Sequence, residues 1–244
     1  MKRSQINQIL QSAQAFFTQH QFHLPPWASW TEADWQGQGD ACREVIDCQL
    51  GWDITDFGSG DFAKRGLTLF TVRNGKAGSS YGKTYAEKIM VVDDGQETPL
   101  HFHFQKAEDI INRGGGKLLL QLWNSDGQGE KADTSVSVSI DGVRRTLEAG
   151  GVVSLAPGES ICLTRGLYHR FWARARCWSA KSARSMTTSR TTAFTRTSAA
   201  SRALTRTKRP GVCWSPTMRR RFADEYEGNE SVALHHLGCR LLSA

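Results

Sequence analysis

The fold and the chemistry are decided by one stretch, Gly95-Gln-Glu-Thr-Pro-Leu-His101-Phe-His103-Phe-Gln-Lys106-Ala-Glu108-Asp109. Alternate side chains of a β-strand lie on the same face, so His101 and His103 are predicted to project together. The two phenylalanines that alternate with them are predicted to enter the opposite layer. A turn at the following Gln-Lys pair would then bring the carboxylate of Glu108 back beside both imidazoles.

A third imidazole comes much later in the chain, from the segment Gly166-Leu-Tyr-His169. Closure of an antiparallel sheet can bring His169 to the point where His101 and His103 meet. Three imidazoles and one carboxylate suit a transition ion with open positions, and this donor set favours Mn(II), Fe(II) or Zn(II) over a structural zinc. The His-x-His pair alone is equally compatible with two buried histidines that donate hydrogen bonds to backbone carbonyls.

Short β-rich runs surround this stretch and predict an antiparallel sandwich or barrel. They read LTLFTV, YAEKIMVV, LHFHF, KLLLQLW, SVSVSI, GVVSL, SICLT and HRFW, separated by Gly, Asp and Asn. Apolar positions at helical spacing between Ile6 and Phe17 predict an amphipathic helix, and two short helices are predicted around TEADW and ACREVIDC. We therefore expect a helical extension over residues 1–50 and a β-barrel over residues 51–172.

The charge is distributed unevenly along the 244 residues. Residues 1–172 contain 17 Lys and Arg against 20 Asp and Glu, whereas residues 173–244 contain 14 against 4. The segment after Trp172 is built from Arg, Ser, Thr and Ala without a strand or helix period, which predicts a mostly disordered tail over residues 173–244. The net charge of +7 therefore belongs to the tail, and we expect no nucleic-acid partner.

Other classes of protein are disfavoured by composition. No run approaches the roughly 18 apolar residues of a membrane span, so we expect no membrane partner. The N-terminal stretch lacks the pattern of a secretory signal, so we expect a cytoplasmic protein. The six cysteines show no CxxC spacing and are expected to be buried or incidental thiols rather than a disulfide framework.

The spacing of the central stretch resembles the first cupin motif. Gly95, His101, His103, Glu108 and Gly115 match that motif in every interval. The Gly-Leu-Tyr-His segment resembles the second motif, with threonine in place of the usual proline two residues before it.

More narrowly, residues 1–172 resemble the D-lyxose isomerase family of cupin sugar isomerases. The likeness rests on YAEKIMVVDDGQETPLHFHFQKAEDIINRGGGKLLLQLWN followed by LTRGLYHRFW. It implies a mainly β protein, a cupin-type antiparallel β-barrel or jelly roll with an N-terminal helical extension, that forms a homodimer. It also implies a Mn(II)-type ion, with Zn(II) or Fe(II) as alternatives. The implied metal ligands are His101, His103, Glu108 and His169.

The resemblance further implies a reaction on a small-molecule sugar. D-lyxose and D-xylulose would be interconverted, with D-mannose and D-fructose as a related pair, through an enediol. Lys106 is the catalytic candidate, because its ammonium can hydrogen-bond a substrate oxygen or stabilise an enediolate. Lys88, in the preceding strand, is the substrate-binding candidate. Lys106 is alternatively a solvated loop lysine.

The likeness stops after HRFW. The family continues with a VGEVS-like strand, a VNDD-like turn and a DEDEAP-like segment, whose acidic residues are candidates for the proton-transferring base. The codons GAC GAG GAC GAA GCG CCC, read one base later, encode Thr-Arg-Thr-Lys-Arg-Pro, the text of residues 205–210. We therefore expect that residues 173–244 are out-of-frame translation and that this change impairs activity.

Three other functions fit parts of the pattern. A non-catalytic cupin that binds sugar and an Fe(II) cupin dioxygenase use the same donor set. The basic tail could alternatively be an arm that binds nucleic acid, although it lacks the regularly spaced aromatic residues of a stacking platform.

Overall fold

The structure is a computed structural model that describes residues 1–76, 78–184 and 192–194. The N-terminal part is helical, as the sequence predicts, and none of the described helices is both long and apolar enough to span a membrane. The α-helices are α1 (Arg3–Gln19), α2 (Glu32–Trp35) and α3 (Arg43–Asp47), with 3₁₀ turns at Pro26–Ser29 and Gly39–Cys42.

The rest of the described chain is β-structure. The strands are β1 (Gly51–Thr55), β2 (Leu67–Arg73), β3 (Tyr85–Val92), β4 (Glu97–His103), β5 (Glu108–Ser125), β6 (Lys131–Ala132), β7 (Val136–Ile140), β8 (Val143–Leu147), β9 (Val152–Leu155), β10 (Ser160–Leu163), β11 (Tyr168–Arg184) and β12 (Thr192–Phe194). All eight predicted runs lie on strands.

The strands form one antiparallel sheet that closes on a core. The main path runs β1-β2-β3-β11-β5-β10-β7-β8, while β4 pairs with β11 and β12, and β6 and β9 pair with β5. Every pair of named strands is antiparallel, which confirms the predicted mainly β, antiparallel fold with an N-terminal helix. The two long strands, β5 and β11, lie side by side at its centre.

Apolar side chains pack in two layers, one inside the barrel and one between its outer face and α1. Helix α1 buries Ile6, Leu10, Ala13 and Phe17 at the spacing of a single helical face. These residues pack in one cluster with outward-facing residues of the sheet. The sheet contributes Trp52, Ile54, Phe70, Ile89, Val91, Trp178 and Ala180 to that cluster.

Strand β11 differs from the prediction, because it continues past the expected end of the barrel at Trp172. Its first half, residues 168–172, pairs with β4 and β5, and its second half, residues 177–184, pairs with β3 and β5. Cys177 belongs to the inner core, whereas Trp178 and Ala180 belong to the outer cluster, so the segment has a strand period after all. The end of this strand is therefore corrected to Arg184. The predictions for residues 185–191 and 195–244 lie outside the described residues.

The two halves of β11 meet at a bulge that the glycine run of β5 accommodates. The register shifts between Arg174 and Cys177. Gly115 has a φ of +84°, and a Cβ there would lie 2.3 Å from the carbonyl oxygen of Arg176. A Cβ on Gly116 would lie 2.1 Å from another carbonyl of the bulge. Glycine is required here because any side chain would collide with the β11 backbone.

Four cysteines in the described part of the chain are free thiols. They are Cys42, Cys48, Cys162 and Cys177.

Candidate metal centre and active site

Three neighbouring strands carry the four residues that the sequence places at one site. His101 and His103 lie at the C-terminal end of β4. His169 on β11 pairs directly with His101. A loop of four residues, 104–107, leads to Glu108, the first residue of β5. Antiparallel pairing therefore brings His169, which is distant in sequence, next to His101. The short loop brings Glu108 back toward the same place.

The three imidazoles form a compact, buried group. One ring nitrogen from each lies within 4.8 Å of those of the others. The ring centroids of His101 and His169 are 4.2 Å apart, and those of His103 and His169 are 5.5 Å apart. Each histidine is at most 4% exposed. This grouping is the one that a shared metal ion requires.

Glu108 lies beside these imidazoles and is 2% exposed. Its Oε2 lies 3.0 Å from Nε2 of His103, and its Oε1 lies 3.6 Å from Nε2 of His169. Glu108 therefore lies within ion-pair distance of both His103 and His169. The structure thus brings all four predicted ligands together.

Backbone carbonyls orient two of the rings. Nδ1 of His101 lies 2.8 Å from the carbonyl oxygen of Pro99, and Nδ1 of His169 lies 3.0 Å from that of Leu167. A carbonyl can only accept a hydrogen bond, so Nδ1 carries the proton in both rings. The lone pair is then on Nε2, which is the tautomer that metal-binding histidines use.

Burial keeps the imidazoles of His101 and His103 neutral. It lowers the pKa of His101 well below its ordinary value, and the neighbouring rings of His169 and His103 lower it further. Burial also lowers the pKa of His103 to about 4, although Glu108 opposes the shift. Neutral imidazole is the form that coordinates a metal, because a protonated ring has no lone pair to offer.

The donor set fits a divalent cation. Nε2 of His169 and both carboxylate oxygens of Glu108 are buried and make no hydrogen bond of good geometry within the described residues. Nε2 of His169 and Oε1 of Glu108, both acceptors, face each other at 3.6 Å. Three nitrogen donors and a carboxylate suit Mn(II), Fe(II) or Zn(II) with open positions for a substrate.

Lysines also converge on Glu108. Nζ of Lys106 lies 2.8 Å from Oε2, and Nζ of Lys181 lies 2.6 Å from Oε1. Burial would raise the pKa of Glu108, but the ammonium of Lys181 and the other partners hold it well below its ordinary value. Burial lowers the pKa of Lys181 to about 7, although the attraction of Glu108 opposes the shift.

The predicted Lys88 stands opposite Lys181 in the β3–β11 ladder. Burial lowers the pKa of Lys88, and repulsion from Lys106 lowers it further, while Asp53 and Glu108 act in the opposite sense. Lys88 and Lys106 therefore belong to the same electrostatic environment as the candidate metal ligands.

The sequence analysis missed Lys181. Its signal is the alternation of Cys177, Ser179 and Lys181 on one face with Trp178 and Ala180 on the other. The Arg-, Ser- and Thr-rich composition of the tail obscured that period, because it resembles the composition of disordered segments.

Comparison with known proteins identifies the family. Residues 1–189 match the family model described as D-lyxose isomerase. A D-lyxose/D-mannose isomerase of Escherichia coli O157:H7 is 57% identical over 177 residues, which are 72% of this chain and 78% of the relative. A D-lyxose/D-mannose isomerase of Serratia proteamaculans is 54% identical over 174 residues, or 70% and 76%.

Solved structures show the same fold at much lower identity. Ligand-free L-ribose isomerase of Cellulomonas parahominis has a TM-score of 0.54 and 12% identity, over 85% of this chain and 98% of that one. The same enzyme with L-ribose has a TM-score of 0.53 and 13% identity, over 81% and 94%. These structures support the cupin-type barrel, and the sequence relatives establish that the chain belongs to the D-lyxose isomerase family.

Proposed function

We propose that this protein is a metal-dependent aldose–ketose isomerase that interconverts D-lyxose and D-xylulose, and also D-mannose and D-fructose. The observation that carries the proposal is the group of three buried imidazoles with Glu108 in contact with two of them. The names of the sequence relatives support the choice of sugars.

The reaction moves two protons and leaves the sugar's composition unchanged. The proton on C2 is transferred to C1, and the hydroxyl proton on O2 is transferred to O1, through an enediol. A divalent ion at this site, when bound, polarises the carbonyl and hydroxyl oxygens of the substrate. The protein has to hold the sugar, exclude water and move the protons.

We propose that the ion is Mn(II) and that its ligands are His101, His103, Glu108 and His169. The burial of these side chains and the fixed tautomers of His101 and His169 support that assignment. These four side chains would hold the ion and would leave positions open for oxygens of a sugar.

Lys106 is proposed as the catalytic lysine and Lys88 as a substrate-binding residue. Lys106 stands between His103 and Glu108 in sequence, and its side chain is 14% exposed beside Glu108. An ammonium there repels a divalent ion but donates to a substrate oxygen and stabilises the negative charge that develops in an enediolate. Lys88 contributes from the adjacent strand.

The reading-frame hypothesis predicts low turnover for this chain. A VGEVS strand encoded GTC GGC GAA GTC AGC, read one base later, begins TCG GCG AAG TC, which is Ser-Ala-Lys-Ser, the text of residues 179–182. Lys181 would then take the place of a glutamate. We propose that residues 173–244 are out of frame and that the proton-transferring base is lost with them.

We also propose a cytoplasmic homodimer, which the family resemblance supports. Light scattering on the purified protein tests the dimer, and cell fractionation tests the location.

The proposed function is tested by an oxygen-free assay. The protein is loaded with Mn(II), given D-lyxose, and D-xylulose is measured with and without a chelator. Conversion that the chelator abolishes supports an isomerase. Sugar binding without any turnover, even after the frame is corrected, supports a binding protein instead. Oxygen consumption on admitting air supports a dioxygenase.

A further inference from the structure

Lys181 lies inside the candidate metal centre rather than at its edge. Its Nζ is 2.6 Å from Oε1 of Glu108, and its side chain is 14% exposed. Its backbone is fixed on both sides, because Lys181 pairs with Lys88 of β3 and Ile110 of β5. The ammonium that contacts Glu108 therefore belongs to a strand that is paired on both sides.

The oxygen that Lys181 contacts is one that a metal ion would use. Oε1 of Glu108 also faces Nε2 of His169 at 3.6 Å, so a cation shared by the two would lie beside this oxygen. An ammonium already supplies a positive charge there. Lys106 supplies a second one at Oε2, 2.8 Å away.

This arrangement gives the site more positive charge than the carboxylate can balance. Glu108 carries one negative charge, whereas the two contacting lysines can each carry one positive charge, and the three imidazoles are acceptors only when neutral. A divalent ion entering the site meets the positive charge of a buried ammonium. That charge weakens metal binding, since charges interact strongly where water is largely excluded.

We propose that Lys181 is an internal cation that competes with the divalent metal for Glu108 and thereby lowers the metal affinity of this protein. The inference rests on the proposed metal site. It differs from a purely structural role, in which the Lys181–Glu108 pair holds β11 against β5 and has no effect on the ion.

The test measures Mn(II) affinity by isothermal titration calorimetry for the parent protein, Lys181→Met and Lys117→Met. Lys117 is an exposed lysine of β5, so its replacement is a matched control for the loss of one positive charge. Removing a unit charge adjacent to a divalent ion should tighten binding by about tenfold or more in Lys181→Met. Lys117→Met should bind as the parent does.

Thermal unfolding supplies a second readout. Without metal, Lys181→Met should melt at a lower temperature than the parent, because a buried carboxylate loses its partner. With saturating Mn(II), the variant should gain more stability than the parent does. Lys181→Gln removes the charge but keeps a polar side chain. It therefore controls for a packing defect that methionine alone would cause.

Equal or weaker Mn(II) binding in both Lys181 variants would overturn the competition. The double variant Lys181→Met, His169→Ala separates this inference from the proposed function. Tight binding that survives the loss of His169 would place the ion elsewhere and refute the proposed metal site as well. Binding that disappears with His169 but does not respond to Lys181 would refute the competition alone.

Discussion

The two halves of β11 share an architecture but not a chemistry. Residues 168–172 and residues 177–184 are each paired on both sides, and each alternates between the inner and outer faces of the sheet. The first half presents the imidazole of His169 to the candidate site. The second half presents Lys181, a cation. A different amino-acid sequence can therefore still pair and be buried as a strand, while the side chains that it presents to the site change the chemistry there.

Apart from the candidate ligand His169, whose Nε2 also lacks a hydrogen bond within the described residues, the halves differ in how well their polar groups are satisfied. In the first half, the Tyr168 hydroxyl donates to the carbonyl of Gly129 at 2.7 Å, and Arg170 binds Glu97 at 3.1 Å. In the second half, the Ser179 hydroxyl and the Trp178 indole nitrogen are buried without a hydrogen-bond partner within the described residues. Each such group costs about 1 to 3 kcal/mol, so the second half contributes less to stability than its burial suggests.

The largest expected effect concerns whether the second half is folded. Burial raises the pKa of Cys177 to about 12, and the residue is fully buried. At pH 8 its thiol should react with a thiol reagent about a thousandfold more slowly than an unperturbed cysteine. Mass-spectrometric mapping of labelled peptides measures the rate, and the protein in urea is the control. Rapid labelling in native buffer would show that this half is not a stable strand.

The next effect tests the first half as a metal-binding element. His169→Ala removes a ligand whose tautomer is fixed by Leu167, and it should weaken Mn(II) binding by more than about 100-fold. The same holds for alanine replacements of His101, His103 and Glu108. The exposed His23→Ala variant should bind the ion as the parent does. Full metal content in three of the four ligand variants would refute the assignment.

Lys106 and Lys181 contact opposite oxygens of Glu108, which separates a substrate role from an effect on the ion. Lys106→Ala in a frame-corrected protein should lower turnover by about tenfold or more, because a donor to the substrate is lost. Its metal content should not fall. Steady-state kinetics and metal analysis provide the two measurements, and unchanged turnover would remove Lys106 from the mechanism.

Most of the fold and all four proposed ligands follow from the sequence, because motif spacing and strand alternation are local signals. The exposed strand β8 was not predicted, since Val-Arg-Arg-Thr-Leu has no apolar face to bury. The first half of β5 was missed because its glycines serve the bulge of β11. Lys181 was missed because β3 and β5 supply the pairing that makes its segment a strand, and such tertiary effects override local propensity.

The smallest effect concerns the bulge that joins the halves. Ala175 has a φ of +58°, in the left-handed region that favours glycine, and its amide donates to Asp94 at 2.8 Å. Ala175→Gly should raise the free energy of unfolding by about 0.5 to 1 kcal/mol, because the steric penalty on Cβ disappears. Urea denaturation measures the change. A loss of stability would mean that the bulge does not hold this conformation.

The central claim is that the first half of β11 completes a metal-dependent isomerase site and that the second half limits it. The most direct test is the initial rate of D-lyxose conversion to D-xylulose with Mn(II), for this chain and for one in which the frame is corrected from residue 173 onward. We expect conversion by the corrected protein to be at least about tenfold faster and to be abolished by a chelator. Equal rates in the two proteins, or no conversion by the corrected one, would contradict it.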